Sequence, residues 1–177
     1  MDTTTGGWTV IQRRISDSSF FKTWSEYKIG FGNLSENWLW NDNIHEISTQ
    51  KVHQLRLDMT LNDDETASAE YKVFLIGDRK SDYRLLVDWF ISGNAADSLR
   101  YHNGQRYSTK YRDNDSDSGR HCAQIRFGGW WYNACLYANL NGDYGNTGEA
   151  LGPVWYSWKG YRVPMKITLM KIRPWYI

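Results

Sequence analysis

The chain has 177 residues, a formal net charge of +1 and 23% charged residues. That length suits one domain with a sizeable core, and the near-neutral balance offers no basic field for capturing nucleic acid. No run of about 18 apolar residues is present, which excludes a helical membrane span, and no signal-peptide pattern follows Met1.

Taken in chain order, Trp8 to Arg14 carries Trp, Thr, Val and Ile and predicts a short strand. Ser19 is placed to cap a helix that sets Phe20, Trp24 and Tyr27 on one face and stops at Gly30. Gly30 to Asn43 is rich in turn residues and contains the glycosylation sequon Asn33-Leu34-Ser35. Asn43 to Thr49 predicts a short helix. The period then changes to two: Leu55, Leu57, Met59 and Leu61 alternate with Arg56, Asp58 and Thr60, which predicts a strand with one wet face. After an acidic turn at Asn62 to Glu65, Ala69 to Ile76 and Tyr83 to Trp89 predict two further strands, joined as antiparallel hairpins by short connections. Met165 to Arg173 predicts a last strand with apolar residues toward both faces.

The stretch Tyr111 to Gly142 is different in kind. It holds Asp113, Asp115 and Asp117 in alternation, both cysteines, a Gly-Gly-Trp-Trp run and an Asn-Leu-Asn-Gly turn. Such composition favours turns, and a long irregular loop survives in a domain mainly when it is stapled or functional. Carboxylates this close repel one another unless a cation sits among them, and hard oxygen ligands suit calcium. The bland alternative is a solvated polar turn. The EF-hand template fails, because Ser118 and Gln124 stand where its Gly and Glu belong. Cys122 and Cys135 are the only cysteines. A thiolate metal site would want His or Cys partners at short spacing, so the pair reads as a disulfide contributing about 3 kcal/mol, and as a mark of an oxidising compartment.

Ten Trp and twelve Tyr are many for this length. Each is more readily a core filler than a contact for a sugar or partner. His45, His53, His102 and His121 lie in no HExxH, and the serines lie in no GxSxG. The His121-Cys122 pair would lose its nucleophile to a disulfide. The expectation is a protein that is not an enzyme.

The segment WWYNACLYANLNG (Trp130 to Gly142) resembles the signature of the fibrinogen C-terminal domain family. GGWTVIQRR (Gly6 to Arg14), WSEYKIGFGNLSENWLWNDNIHEIST (Trp24 to Thr49), AEYKVF (Ala69 to Phe74) and WYSWKG to MKITLMKIRP (Trp155 to Pro174) resemble further family blocks in the same order. The resemblance implies an α+β fold: a central antiparallel sheet flanked by short helices, formed by residues 1–98 and 165–177, with a loop-rich calcium- and ligand-binding part over 99–164. It also implies a secreted protein, and, since family members carry another disulfide upstream, a chain lacking the family's N-terminal piece.

The resemblance further implies a calcium site built from the Asp113 and Asp115 carboxylates and the carbonyls of Asp117 and Gly119. Gly119-Arg120-His121-Cys122 is one residue longer than the family's usual Gly-Asn-Cys. Asn114-Asp115-Ser116 is formally a second sequon, but a sugar there would crowd the metal. Lectin members of the family, the ficolins and tachylectins, bind acetylated groups beside this loop, over a cis peptide bond that maps to Ala134-Cys135. The pocket residues implied are Arg126, Ala134, Cys135, Leu136, Glu149 and Tyr161. Of these, Leu136 replaces a usual histidine, Arg126 an aromatic and Glu149 a tyrosine, while Tyr161 keeps the family pattern. Arg126 and Glu149 either pair with each other or hold a polar ligand.

The expected function is a secreted calcium-binding lectin for microbial glycans or acetylated groups, with altered specificity. The alternative is a protein–protein module of the fibrinogen kind, receiving a peptide with a free amine; Ala150 stands there at an acidic position. Oligomerisation is expected only through segments outside this chain.

Overall fold

The computed structural model describes residues 7–175. Gly6 of the first family block, and the ends at residues 1 and 177 of the expected sheet-forming part, lie outside the described residues. Six principal elements build the frame: strands β1 (Thr9–Arg14), β4 (His53–Thr60), β5 (Thr66–Ile76), β6 (Leu85–Ser92) and β9 (Ile167–Pro174), and helix α2 (Asn41–Gln50). Shorter pieces are helix α1 (Trp24–Ile29) and the hairpin strands β2 (Phe31–Gly32) and β3 (Asn37–Trp38). The loop-rich part adds α3 (Cys122–Ile125), β7 (Ala138–Asn139), β8 (Val154–Trp155) and α4 (Tyr156–Lys159). The α+β class and the antiparallel sheet flanked by short helices are as expected.

The seven-stranded sheet runs β2-β3-β1-β9-β4-β5-β6, with every pair antiparallel. The alternation read in β4 places Leu55, Leu57 and Met59 in the core, beside Ala69 and Tyr71 of β5 and Met170 and Ile172 of β9. In β9 the face of Thr168, Met170 and Ile172 is buried while Ile167 and Leu169 are half-covered, so its second face is only partly packed.

Two local expectations are corrected. Helix α1 begins at Trp24, not after Ser19. Thr23 forms a capping box, its side chain accepting from the Glu26 amide while the Glu26 carboxylate accepts from Thr23 N at 2.7 Å, and this outcompetes Ser19. Phe20 therefore lies in the preceding coil, buried edge-on against Phe31. The strand expected from Tyr83 starts at Leu85 and runs to Ser92, because Asp82 and Tyr83 adopt left-handed backbone and turn the chain.

A buried polar knot fastens the loop-rich part to the sheet. Gln12 of β1 donates to Thr168 Oγ1 of β9 at 2.8 Å and to Asn141 Oδ1 at 3.2 Å. Asn141 Nδ2 donates to Gly129 O at 2.9 Å, and Gly129 N donates to the Tyr27 hydroxyl at 3.1 Å. A Cβ on Gly129 would lie 2.4 Å from the Tyr27 ring, and one on Gly142 would lie 2.4 Å from the Gly152 carbonyl, so both glycines are there for close approach. Trp130, Trp131 and Tyr132 are wholly buried. Trp131 packs against Trp38 and Tyr107, so the Trp-Trp run is core and not contact surface.

Candidate functional site

Cys122 and Cys135 form the expected disulfide, with their Cα atoms 5.5 Å apart. One sulfur comes from the start of α3 and the other from the segment after Trp131, so the bond joins the acidic loop to the expected pocket floor. The peptide bond Ala134-Cys135 is cis.

The acidic loop is a chain of side-chain-to-backbone turns. Asp113 Oδ1 accepts from Asp115 N at 3.3 Å, Asp115 Oδ1 from Asp117 N at 2.9 Å, and Asp117 Oδ1 from Gly119 N at 3.1 Å. Asp115 Oδ2 also accepts from Cys122 N at 2.8 Å, which couples the loop to the disulfide. Burial pushes the Asp115 carboxyl up to about 6, opposed by its two backbone hydrogen bonds and reinforced by the neighbouring Asp113 carboxylate. Asp117 is held below its ordinary value by Arg120, whose guanidinium lies 2.6 Å from it. The extra-residue segment thus brings its own cation to Asp117 and leaves the Asp113–Asp115 pair uncompensated. Among the described residues Asp117, Cys122 and Cys135 also cluster, but the disulfide occupies both sulfurs and no thiolate site exists there.

The run Ala134–Leu136, the expected pocket floor, is clasped from two sides by tyrosines. Tyr101 donates to Ala134 O at 3.2 Å and Tyr161 to Leu136 O at 3.1 Å. Between them the rings form a continuous ladder. Tyr101 stacks on Tyr137 at 4.3 Å, Tyr137 meets Tyr156 at 5.1 Å, and Tyr156 stacks on Tyr161 at 4.5 Å. Tyr137 is 40% exposed and Tyr156 45% exposed, so both keep surface open to a partner although their neighbours stack on them. Burial raises the Tyr161 hydroxyl to about 12, so it stays a donor.

Arg126 and Glu149 come together, though not as charge partners. Arg126 Nη1 donates to the Glu149 carbonyl at 3.0 Å, while the Glu149 carboxylate pairs with Arg162 at 2.6 Å on the surface. Arg126 Nε is buried without an acceptor. Leu136 is buried and contributes its carbonyl, and Ala150 is buried beneath, its amide donating to Tyr161 O at 2.8 Å.

Sequence reasoning missed His102. It is fully buried, Nδ1 lies 2.7 Å from Trp131 O, and Nε2 accepts from Tyr137 N at 3.2 Å and Ala138 N at 3.0 Å. Because Nε2 accepts, Nδ1 carries the proton and donates. Desolvation depresses its pKa to about 4, against a modest opposing effect of the Trp131 carbonyl. This ring sets the path of the chain on either side of the cleft floor. Only its sequence isolation from any motif was visible, and that signals nothing. Tyr101, Tyr137 and Tyr156 were likewise hidden among twelve tyrosines.

Residues 1–175 match the family model described as fibrinogen beta and gamma chains, C-terminal globular domain. The chain is 44% identical over 177 residues to tenascin-R of Gallus gallus and 42% identical to tenascin-R of Homo sapiens, covering 99% of this chain and 13% of each relative's length. Among solved structures it is similar to the fibrinogen-like globe domain of human ANGPTL2, with TM-score 0.91 and 38% identity over 98% of this chain and 82% of that one. It is also similar to lamprey fibrin D-dimer complexed with the peptide Gly-His-Arg-Pro-amide, with TM-score 0.90 and 32% identity over 96% of this chain and 62% of that one. The chain belongs to the fibrinogen C-terminal domain family. No helix among the described residues is long and apolar enough to cross a membrane.

Proposed function

We propose that this chain is an extracellular, calcium-supported, non-enzymatic recognition domain that binds a protein or peptide through the tyrosine-walled cleft. The observation that carries this reading is the ladder Tyr101–Tyr137–Tyr156–Tyr161, exposed at Tyr137 and Tyr156, with the half-buried Arg126 near Tyr161. Tyrosine and arginine are the residues that most often anchor protein interfaces, since each joins a large rigid face to a polar group. The similarity to a fibrin D-dimer solved with a short peptide supports the same reading. An acetyl methyl group wants an apolar slot, and a charged guanidinium forms part of this wall. Arg126 favours a ligand that brings a carbonyl or carboxylate. The disulfide supports the extracellular assignment.

The test is a binding screen that sets free-amine and carboxylate-bearing peptides against acetylated sugars and microbial glycans. Peptide binding is expected, and Tyr156→Ala, at an exposed ring, should weaken it tenfold or more with little change in Tm. Acetyl-dependent glycan binding that survives both Arg126→Ala and Tyr156→Ala would restore the lectin reading.

Calcium is the second element of the proposal. Asp113, Asp115 and the carbonyls of Asp117 and Gly119 would hold it, and its role is to neutralise the carboxylate pair and fix the loop behind the cleft. At ion concentrations about 100-fold above Kd, bound calcium contributes about 2.7 kcal/mol, so chelation should lower Tm by roughly 5–10 °C for a chain of this size. Asp113→Asn combined with Asp115→Asn should remove that response. An unchanged Tm on chelating the calcium-loaded parent would rule the ion out.

A further inference from the structure

Two sequons are present, Asn33-Leu34-Ser35 and Asn114-Asp115-Ser116, and the fold treats them in opposite ways. Asn33 opens the turn of the β2–β3 hairpin, where its backbone N donates to Glu36 O at 2.8 Å. Its side-chain Oδ1 accepts from Ser35 N at 2.8 Å and from Glu36 N at 3.2 Å, a turn in which the carbonyl half of the amide is fully engaged. Its Nδ2 donates to no group among the described residues. Asn33, Leu34 and Ser35 are all exposed, Leu34 to 98%, so the turn projects into solvent with its amide nitrogen outermost in bonding terms.

Asn114 is the reverse. Its Nδ2 donates to Tyr107 O at 2.8 Å, its backbone N donates to Ser108 Oγ at 3.0 Å, and it is half-buried between Asp113 and Asp115. Tyr107 is itself wholly buried against Trp38 and Trp131. A sugar on that nitrogen replaces one of its two hydrogens and would have to fit where the amide is held against the wholly buried Tyr107.

We propose that Asn33 carries an N-linked glycan and that Asn114 does not. In the transfer step, Asn33 Nδ2 attacks the anomeric carbon of a lipid-linked oligosaccharide pyrophosphate. The N–C bond forms, the C–O bond to the pyrophosphate breaks, the amide loses one proton, and the lipid pyrophosphate departs. The hairpin tolerates the product because Oδ1, not Nδ2, makes its turn. The glycan also has a physical use there: β2 is an edge strand of the seven-stranded sheet, and a hydrated chain at its turn obstructs edge-to-edge pairing.

This inference rests on the extracellular reading, and one experiment separates the two. The chain is expressed behind a cleavable secretion leader in mammalian cells, and its intact mass is compared before and after treatment with an amide-cleaving N-glycanase. One glycan is expected, lost in Asn33→Gln and in Ser35→Ala and retained in Asn114→Gln. Protein that reaches the medium with the Cys122–Cys135 bond formed but without sugar overturns the glycan and leaves the extracellular reading intact. A sugar lost only in Asn114→Gln overturns it as well. Protein retained in the cells counts against the extracellular reading, and the glycan is scored on that material in the same way, because the transfer precedes export.

Discussion

His102→Ala is expected to destabilise the fold by roughly 3–5 kcal/mol, a sizeable share of the 5–15 kcal/mol that holds an ordinary domain together. The ring receives the Tyr137 and Ala138 amides on Nε2 and gives its proton to Trp131 O, so truncation strands three backbone groups at once, two buried and one, the Tyr137 amide, partly so. Each stranded group costs about 1–3 kcal/mol, and a cavity adds to the loss. Urea unfolding with an unchanged slope would measure the effect, and the Tyr137 and Ala138 amides should lose hydrogen-exchange protection first. A loss below about 1 kcal/mol, the level of an ordinary substitution, would contradict this account.

The same ring predicts a pH dependence. Its pKa falls from an ordinary 6.5 to about 4 on folding, so between those values the unfolded chain binds more protons than the native one. Stability from this group is therefore complete above pH 6.5 and is lost as pH falls toward 4. The gap corresponds to about 3 kcal/mol at most. His102→Gln should show a flatter Tm profile across that window, even if it is less stable throughout.

Removing the disulfide, by Cys122→Ser together with Cys135→Ser, is expected to cost about 3 kcal/mol and to damage the site more than the sheet. No sheet strand carries a cysteine, and the register of β1, β4, β5 and β9 is set by their own ladders. The acidic loop and the cleft floor, by contrast, are joined through that bond: Cys122 N holds Asp115, and Cys135 follows Ala134, whose carbonyl Tyr101 grips. Calcium response and peptide binding should therefore weaken together in the double variant while far-UV circular dichroism keeps the sheet signal. If binding survived at parental strength, the coupling of loop to cleft would be wrong.

Much of the frame was legible because it obeys local rules. The period-two run Leu55–Leu57–Met59 needs one buried face, and only a strand supplies it. Gly30 ends α1 at positive φ, as a glycine after a helix commonly does. The motif-bearing segment Trp130 to Gly142 was recognisable because close packing around Gly129 and Gly142 and the buried side chain of Asn141 leave few residue choices. Where local signals competed, the reading slipped: Ser19 and Thr23 both offer a cap, and only the Glu26 partner decides between them. From the sequence Arg126 and Glu149 either pair or hold a polar ligand; in the fold Arg162 takes the carboxylate and Arg126 meets the Glu149 carbonyl.

By itself the sequence determined the main strands, the acidic step, the pairing of its only two cysteines and membership of a family, because these follow from residue identity and near-neighbour spacing. Only the tertiary structure decided that β9 returns between β1 and β4, that His102 is a buried brace, and that Tyr101, Tyr137, Tyr156 and Tyr161, spread over 60 positions, line up as one wall. Those are contacts between residues far apart in the chain. Nothing local encodes them, since they exist only once the core has been buried and the loops have been pinned against it.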